Sequence, residues 1–182
     1  DELLPLEPQY LQHPGHSFGT NQTATNLKLV FGQDVLDHLT KISRETGLWY
    51  LMVPEEHGGS GLSMLAQIAI MEQFNYTAVP FPFAHVANIL YQCEGGQVDR
   101  FLKPVIEGEK ITCFAQTEPN AGSDPGGMMQ THAVQDGDDW VLNGTKMWIS
   151  GAAESDIIMV QAVTDKEKRQ RGGITMFLVD RN

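Results

Sequence analysis

Residues 113–124 read CFAQTEPNAGSD, and the character of the chain changes at this stretch. Its first three residues are apolar and predict a buried strand, which then runs into a polar loop that contains Pro119 and Gly122. Thr117 and Ser123 add hydroxyl groups to the loop. A strand that stops in a glycine-containing loop presents free backbone N–H groups at a fixed place, which suits an anionic or planar cofactor.

The segment that precedes this stretch predicts helices. Between residues 24 and 108, apolar side chains recur at spacings of three and four, and Gly47 is expected to end one helix. Ser63 is expected to cap another helix. The inner face of that helix would be formed by Leu65, Ile68, Ala69, Met71 and Phe74.

The segment that follows predicts strands, because the apolar period changes to two from Ile111 onward. Asn143-Gly144 is a strong hairpin signal, and residues 136–139 predict a further turn. Strands are expected over residues 131–134, 140–142, 145–149, 157–163 and 174–179.

Helices followed by strands indicate the α+β class. We expect an N-terminal helical bundle domain over residues 1–110 and an antiparallel β-barrel or β-sandwich domain over residues 111–182. The chain begins at Asp1 without a methionine and stops at Asn182 directly after a predicted strand. We therefore expect it to be a piece of a longer polypeptide.

Composition limits the possible functions. An apolar fraction of 41% is sufficient for a core, and a net charge of -11 argues against binding to nucleic acid, which needs clustered Lys and Arg. The short basic run at residues 166–171 is expected to be a solvated loop. His13 and His16 lack further ligands, so no metal site is expected. No apolar run reaches the ~18 residues of a membrane span, and no signal peptide is evident.

A second cluster, KMWISG at residues 146–151, follows the predicted hairpin. We expect the indole of Trp148 to lie at a strand end, where it could stack on a flat ring, with Ser150 on the same face. Spacing alone favours a structural interpretation, in which a tryptophan of the β core is flanked by turn residues.

Together the two clusters resemble the acyl-CoA dehydrogenase family. The pattern TEPxAGSD at residues 117–124, followed by NGxKxWISG at residues 143–151, is similar to that family in both motifs and in their spacing. PEEHGGSGL at residues 54–62 looks like the loop between its N-terminal helices. The resemblance extends from residues 3–7 to residues 177–179, and it implies a flavoprotein that binds FAD and dehydrogenates an acyl-CoA substrate.

The resemblance also implies roles for individual residues. Thr117 would contact the pyrimidine side of the flavin, Trp148 would cover the ring, and Ser150 would face N5. Ser123 would lie near the pyrophosphate and touch the pantetheine arm of the acyl-CoA, while Phe81 and Phe83 would line the acyl pocket. The complete set implied to bind FAD is Phe114, Ala115, Gln116, Thr117, Gly122, Ser123, Trp148, Ile149 and Ser150.

Two of these positions depart from the family pattern. The family more often has threonine where this chain has Ser150, so control of the hydroxyl rotamer would be looser. Gln116 occupies a position that is usually apolar, and it could tune the surroundings of the flavin or of the substrate carbonyl.

In the family a glutamate removes the α-proton of the thioester while the β-hydride goes to flavin N5, and electrons then pass to an electron-transfer flavoprotein. That glutamate lies in a C-terminal helical domain which this chain lacks, so no catalytic residue is expected here. Glu118 is expected to accept backbone hydrogen bonds instead of acting as a base. The family also implies a homo-oligomer, a dimer or tetramer, in the bacterial cytoplasm or the mitochondrial matrix.

Other functions remain open at this point. An acyl-CoA oxidase or a flavin monooxygenase could share the fold, and a non-catalytic subunit could keep the fold without the flavin. The sequence does not identify the acyl group.

Overall fold

A computed structural model describes residues 2–14 and 23–181, which divide into two compact units between Glu109 and Lys110. The expected α+β class is confirmed, because the first unit is helical and the second carries the sheet. The helices of the first unit are α1 (Glu7–Gln12), α2 (Thr23–Phe31), α3 (Gln33–Glu45), α4 (Met64–Phe74) and α5 (Lys103–Ile106). Shorter helical turns lie at Leu4–Leu6, Leu48–Tyr50, Glu55–His57, Asn88–Gln92 and Val98–Leu102.

The core of the helical unit gathers around Tyr10, which is fully buried. Its ring is stacked on that of Phe31, with 6.0 Å between ring centres. The side chains packed with it come from α1, α2, α3 and the segment after α4, and the buried ones are Tyr10, Leu27, Val30, Leu39 and Val79. The helical spacing of these residues in the sequence therefore corresponds to one shared apolar face.

Trp49 forms a second packing centre of the same unit. Its indole N–H donates to the carbonyl of Ile106 (2.8 Å), and its own carbonyl accepts from the amide of Ala84 (2.8 Å). The guanidinium of Arg44 lies 4.3 Å from the centre of the indole ring and pairs with Glu107 at 3.0 Å. Trp49 thus joins the end of α3 to two segments that are distant in sequence, one through its indole and one through its backbone carbonyl.

The predicted cap of α4 is confirmed, since the Ser63 hydroxyl accepts from the amide of Ala66 at 3.3 Å. The predicted inner face is wrong in part: Leu65 and Ile68 are 78% and 58% exposed. Apolar residues of α4 occur on every face of the helix, so their spacing does not identify the face that packs inward. Ala69 is exposed as well, whereas the predicted Met71 and Phe74 are half-buried, together with Ala66, Gln67 and Ile70.

The second unit is built on a five-stranded sheet. Its strands are β1 (Thr112–Ala115), β2 (His132–Asp136), β3 (Asp139–Asn143), β4 (Ile157–Val163) and β5 (Ile174–Asp180), with a short helix α6 (Pro125–Met128) after β1. β4 lies at the centre, where it pairs with β1 and β2 on one edge and with β5 on the other. A turn of helix at Arg169–Arg171 connects β4 to β5.

The sheet is mixed, which corrects the expectation of an antiparallel barrel or sandwich. β1 runs parallel to β4 from Thr112↔Ile157 to Ala115↔Val160, and β2 is parallel to β4 at one position. Residues 116–156, including the β2–β3 hairpin, lie between β1 and β4, so the chain has enough length to re-enter the sheet in the same direction. Among the five strands of the described residues, the antiparallel neighbours are β2–β3 and β4–β5.

The turn expected at residues 136–139 is confirmed, because Asp136 pairs with Asp139 across Gly137 and Asp138. The hairpin expected at Asn143-Gly144 is wrong. Gly144 directly follows β3 with φ +154, and a Cβ on it would lie 2.6 Å from Cα of Thr131. This glycine serves a close approach of two backbones, not a reversal of the chain.

Within residues 2–14 and 23–181, no helix has both the length and the apolar character to cross a membrane.

Two glycines test the packing around Trp49. Gly47, at the predicted helix end, has φ +76 and Gly108 has φ +69, so alanine costs about 1 kcal/mol at either. A Cβ on Gly47 meets nothing within 4 Å, whereas on Gly108 it would lie 2.6 Å from the indole of Trp49. We expect Gly108→Ala to lower the free energy of unfolding in urea by about 1–3 kcal/mol more than the control Gly47→Ala. Equal losses would contradict this packing.

Candidate cofactor site

Trp148 lies in an irregular loop that follows β3, and residues 144–149 form no strand. The expected strand over residues 145–149 is therefore wrong, and so is the placement of Trp148 at a strand end. Its side chain is 83% exposed and its φ is 58°. The alternative of a tryptophan buried in the β core is excluded by the same exposure.

Backbone strain occurs in both sequence motifs. Ser123 has φ 59°, and it shares this left-handed conformation with Trp148 and Arg169 among the non-glycine residues of the described ranges. Such a conformation is a true outlier for a bulky residue such as tryptophan. Strained residues persist where surrounding contacts enforce them, and they cluster at functional sites.

The structure brings the two motif loops together through Lys146 and Met147. The ammonium of Lys146 donates to a carboxylate oxygen of Glu118 (2.8 Å) and to the carbonyl of Gln116 (3.0 Å). The amide of Met147 donates to the carbonyl of Thr117 (2.9 Å). These contacts place Thr117 and Trp148 on adjacent segments, although they are far apart in the sequence.

Glu118 is buried, with 5% of the residue exposed, and its carboxylate is fully engaged. It accepts from the amides of Gln130 (2.6 Å) and Thr131 (3.0 Å) in addition to Lys146. Burial by itself would raise the pKa of this carboxyl, but the hydrogen bonds from Lys146 and from the two amides outweigh it and lower the pKa to about 2. Glu118 is thus an ionised structural anchor, as expected, and holds no proton near neutral pH.

The remaining residues of the first motif differ in how much of their surface a ligand could reach. Ala115 is 3% exposed and so offers almost no surface to a ligand, whereas Phe114 is 45% exposed. The side-chain amide of Gln116 donates to that of Gln161 on β4 at 2.8 Å. This pairing orients Gln116 but was not evident from the sequence, since the partner lies on a strand 45 residues away.

The other predicted flavin ligands lie on the surface of this unit. Thr117, Gly122, Ser123 and Ser150 are exposed, and Ile149 is half-buried. Phe81 and Phe83 belong to the helical unit. Phe81 is 8% exposed and stacked on Phe74, with 4.8 Å between ring centres, while Phe83 is half-buried. Their part in acyl binding stays a prediction.

Arg169 corrects the expectation that residues 166–171 are simply a solvated loop. Its guanidinium donates to the carbonyls of Gly127 (2.9 Å) and Met129 (3.2 Å), which fastens the loop to the segment after Ser123. Of the histidine pair, His16 lies outside the described residues. The described residues contain no group of three His, Cys, Asp or Glu side chains that could hold a metal ion.

Comparison with known families agrees with both motifs. The model of the acyl-CoA dehydrogenase N-terminal domain matches residues 26–109, and the model of the middle domain of the same family matches residues 113–182. The chain belongs to the acyl-CoA dehydrogenase family. The resemblance drawn from the two motifs is thereby confirmed.

Individual relatives support this assignment. The chain is 38% identical over 158 residues to the caffeyl-CoA reductase-Etf complex subunit CarC of Acetobacterium woodii, a match that covers 82% of this chain and 40% of that protein. It is 42% identical over 142 residues to the mitochondrial short-chain specific acyl-CoA dehydrogenase of Mus musculus. That match covers 74% of this chain and 34% of that protein. It therefore spans about two fifths or less of the length of these curated relatives.

A solved structure supports the fold. A glutaryl-CoA dehydrogenase from Mycobacterium smegmatis, solved in complex with FADH2, superposes with a TM-score of 0.60 at 26% identity. The superposition covers 88% of this chain and 44% of that protein.

The residues of this acyl-CoA dehydrogenase chain suit a flavin. A flat ligand that covered the exposed indole of Trp148 would remove a large apolar surface from water. The hydroxyls of Thr117, Ser123 and Ser150 lie on exposed loop segments, where they can donate to or accept from the polar atoms of a ring and a phosphate chain. The donor set therefore fits FAD.

The lowered pKa of Glu118 predicts a specific pH dependence of stability. Because the folded-state pKa lies below the usual 4.5, the stabilisation is complete above about pH 4.5 and is lost as the pH falls towards 2. We expect the difference in unfolding free energy between the unsubstituted chain and Glu118→Gln to shrink by on the order of 3 kcal/mol across this range. Urea titrations at several pH values measure it, and a difference independent of pH would contradict the assignment.

Proposed function

We propose that this chain forms part of a flavoprotein that dehydrogenates an acyl-CoA thioester between its α- and β-carbons, and that its second unit binds FAD. The observation that carries the proposal is the exposed, strained Trp148 beside the Thr117 loop. A tryptophan with 83% of its surface in water is unusual, because this residue is highly buried on average. A flat cofactor explains both the exposure of the indole and the strain of its backbone.

The roles of individual residues follow from the resemblance of the two motifs to the family. We assign Trp148 to cover the ring and to exclude water from one of its faces. The Thr117 hydroxyl would bond the pyrimidine edge, and Ser150 would face N5. Ser123 would approach the pyrophosphate and the pantetheine arm. Phe114, Ala115, Gln116, Gly122 and Ile149 would complete the surface that surrounds the cofactor.

The contribution of this chain to the reaction is binding and orientation. When bound, FAD accepts the hydride that leaves the β-carbon of the thioester. Glu118 is a poor base, because its carboxyl has a pKa of about 2 and its carboxylate already accepts from three donors. The residues of this chain would therefore hold the ring and keep water away from it. We propose that the base comes from outside these 182 residues.

Partners follow from the same proposal. The name of the Acetobacterium relative places that protein in a complex with an electron-transfer flavoprotein. We propose an electron-transfer flavoprotein as electron acceptor and a homo-oligomer, a dimer or tetramer, as the complete protein. A bacterial cytoplasm or a mitochondrial matrix would provide this setting.

Anaerobic titration of the complete FAD-loaded protein with acyl-CoAs of different chain length tests the activity. Bleaching of the flavin absorption, followed by turnover with a dye acceptor, is the expected result. Oxygen consumption with release of peroxide would identify an oxidase instead, and a complete protein that takes up no FAD would be a flavin-free subunit.

Substitution of Trp148 tests the flavin site in this chain directly. We expect Trp148→Ala to raise the dissociation constant for FAD by about tenfold, because stacking on an aromatic ring contributes about 0.5–1.5 kcal/mol beyond area burial. Quenching of flavin fluorescence during titration measures this constant. Trp140→Ala is the matched control, since Trp140 is 43% exposed and packs on Phe177. Equal affinities for both variants would contradict the assignment of Trp148.

A further inference from the structure

The ion pair between Glu118 and Lys146 is largely buried, and both of its charged groups make further hydrogen bonds. The side chains are 3% and 10% exposed, whereas those of the Lys110–Asp180 pair of the same unit are 18–34% exposed. The Glu118 carboxylate has two amide donors besides the ammonium, and the ammonium has the Gln116 carbonyl besides the carboxylate. Taking two charges out of water is costly, so a pair retained with this geometry has a role beyond simple packing of the core.

The position of the pair in the chain indicates that role. Glu118 directly follows Thr117, and Lys146 lies two residues before Trp148. The ammonium bonds to both neighbours of Thr117, to the backbone carbonyl of Gln116 and to the side-chain carboxylate of Glu118. Next to it, the amide of Met147 bonds the carbonyl of Thr117. The backbone at Trp148 then takes its strained conformation immediately after this hydrogen-bonded segment.

The sheet does not depend on these contacts. β4 pairs with β5 over its whole length and with β1 over four residue pairs, and neither register includes Glu118 or Lys146. Loss of the pair should therefore release the two loops from one another while the strands stay paired.

We propose that Glu118 and Lys146 are positioning residues, whose ion pair holds the indole of Trp148 and the hydroxyl of Thr117 at the fixed spacing that a flavin needs. The inference rests on the proposed function for its ligand, but the loop geometry can be tested without FAD. It extends the proposed function because neither residue touches the ring.

The test uses the full 182-residue chain and the double variant Glu118→Gln/Lys146→Met. Removing both charges together avoids leaving one uncompensated charge in the interior. Lys110→Met is the matched control, since it removes the ammonium of a half-buried pair in the same unit. Hydrogen exchange at the amide of Met147 reports on the contact between the loops, and titration with FAD reports on the cofactor site.

We expect the double variant to keep slow exchange in β4 and β5 and to lose protection at Met147. Its affinity for FAD should fall by about 10- to 100-fold, the loss typical when supporting contacts behind a bound group are removed. The control should match the unsubstituted chain in both measurements. A variant that keeps the protection at Met147 and the original FAD affinity would overturn the inference.

Lys146→Gln decides the question if the double variant fails to fold. Glutamine keeps a donor for Glu118 but is too short to reach the Gln116 carbonyl at the same time, so Met147 protection and FAD affinity should both fall while cooperative unfolding remains. Lys146→Arg, which keeps the charge and both donors, should restore most of the affinity. If the unsubstituted chain did not bind FAD, the proposed function would be refuted. The positioning role would still be tested, because hydrogen exchange at the Met147 amide does not depend on FAD.

Discussion

A carboxylate with 5% of its residue in contact with water must find its partners inside the protein, and in this chain that requirement organises the surface on which the candidate site lies. Glu118 meets it with the amides of Gln130 and Thr131 and with the ammonium of Lys146. One partner precedes β2 and another follows β3, so the carboxylate joins both ends of the hairpin to the loop after β1. The strength of these bonds is reflected in a pKa near 2.

The neighbouring contacts depend on this arrangement. Gly144 can pass beside Thr131 only because it lacks a side chain, since a Cβ would lie 2.6 Å from the Thr131 Cα. Lys146 and Met147 then lie beside residues 116–118 and donate hydrogen bonds to them. Trp148 has its positive φ directly after these hydrogen-bonded residues, and strained backbone persists where surrounding contacts enforce it. The exposed indole thus follows a segment that is bonded to the loop after β1.

Particular elements show how far the sequence could predict this structure. The span of β4 and the cap of α4 were predictable, because a short continuous apolar run and capping chemistry are local properties. The buried face of α4 could not be predicted, because apolar residues of the helix occur on every face and its packing partners decide which of them is buried. The hairpin expected at Asn143-Gly144 was wrong because the dipeptide only permits a tight turn. In the structure the missing side chain of Gly144 allows the backbone of Thr131 to come close.

The sequence by itself determined the class of the fold, the family and the two loops that form the candidate site, because periodicity and motifs of adjacent residues record local requirements. It did not determine that the sheet is mixed, that Glu118 pairs with Lys146, or that Gln116 pairs with Gln161. The tertiary structure decided these features. Each joins groups separated by tens of residues, and the free energy of a buried ion pair or of a strand pairing depends on which distant segments come into contact.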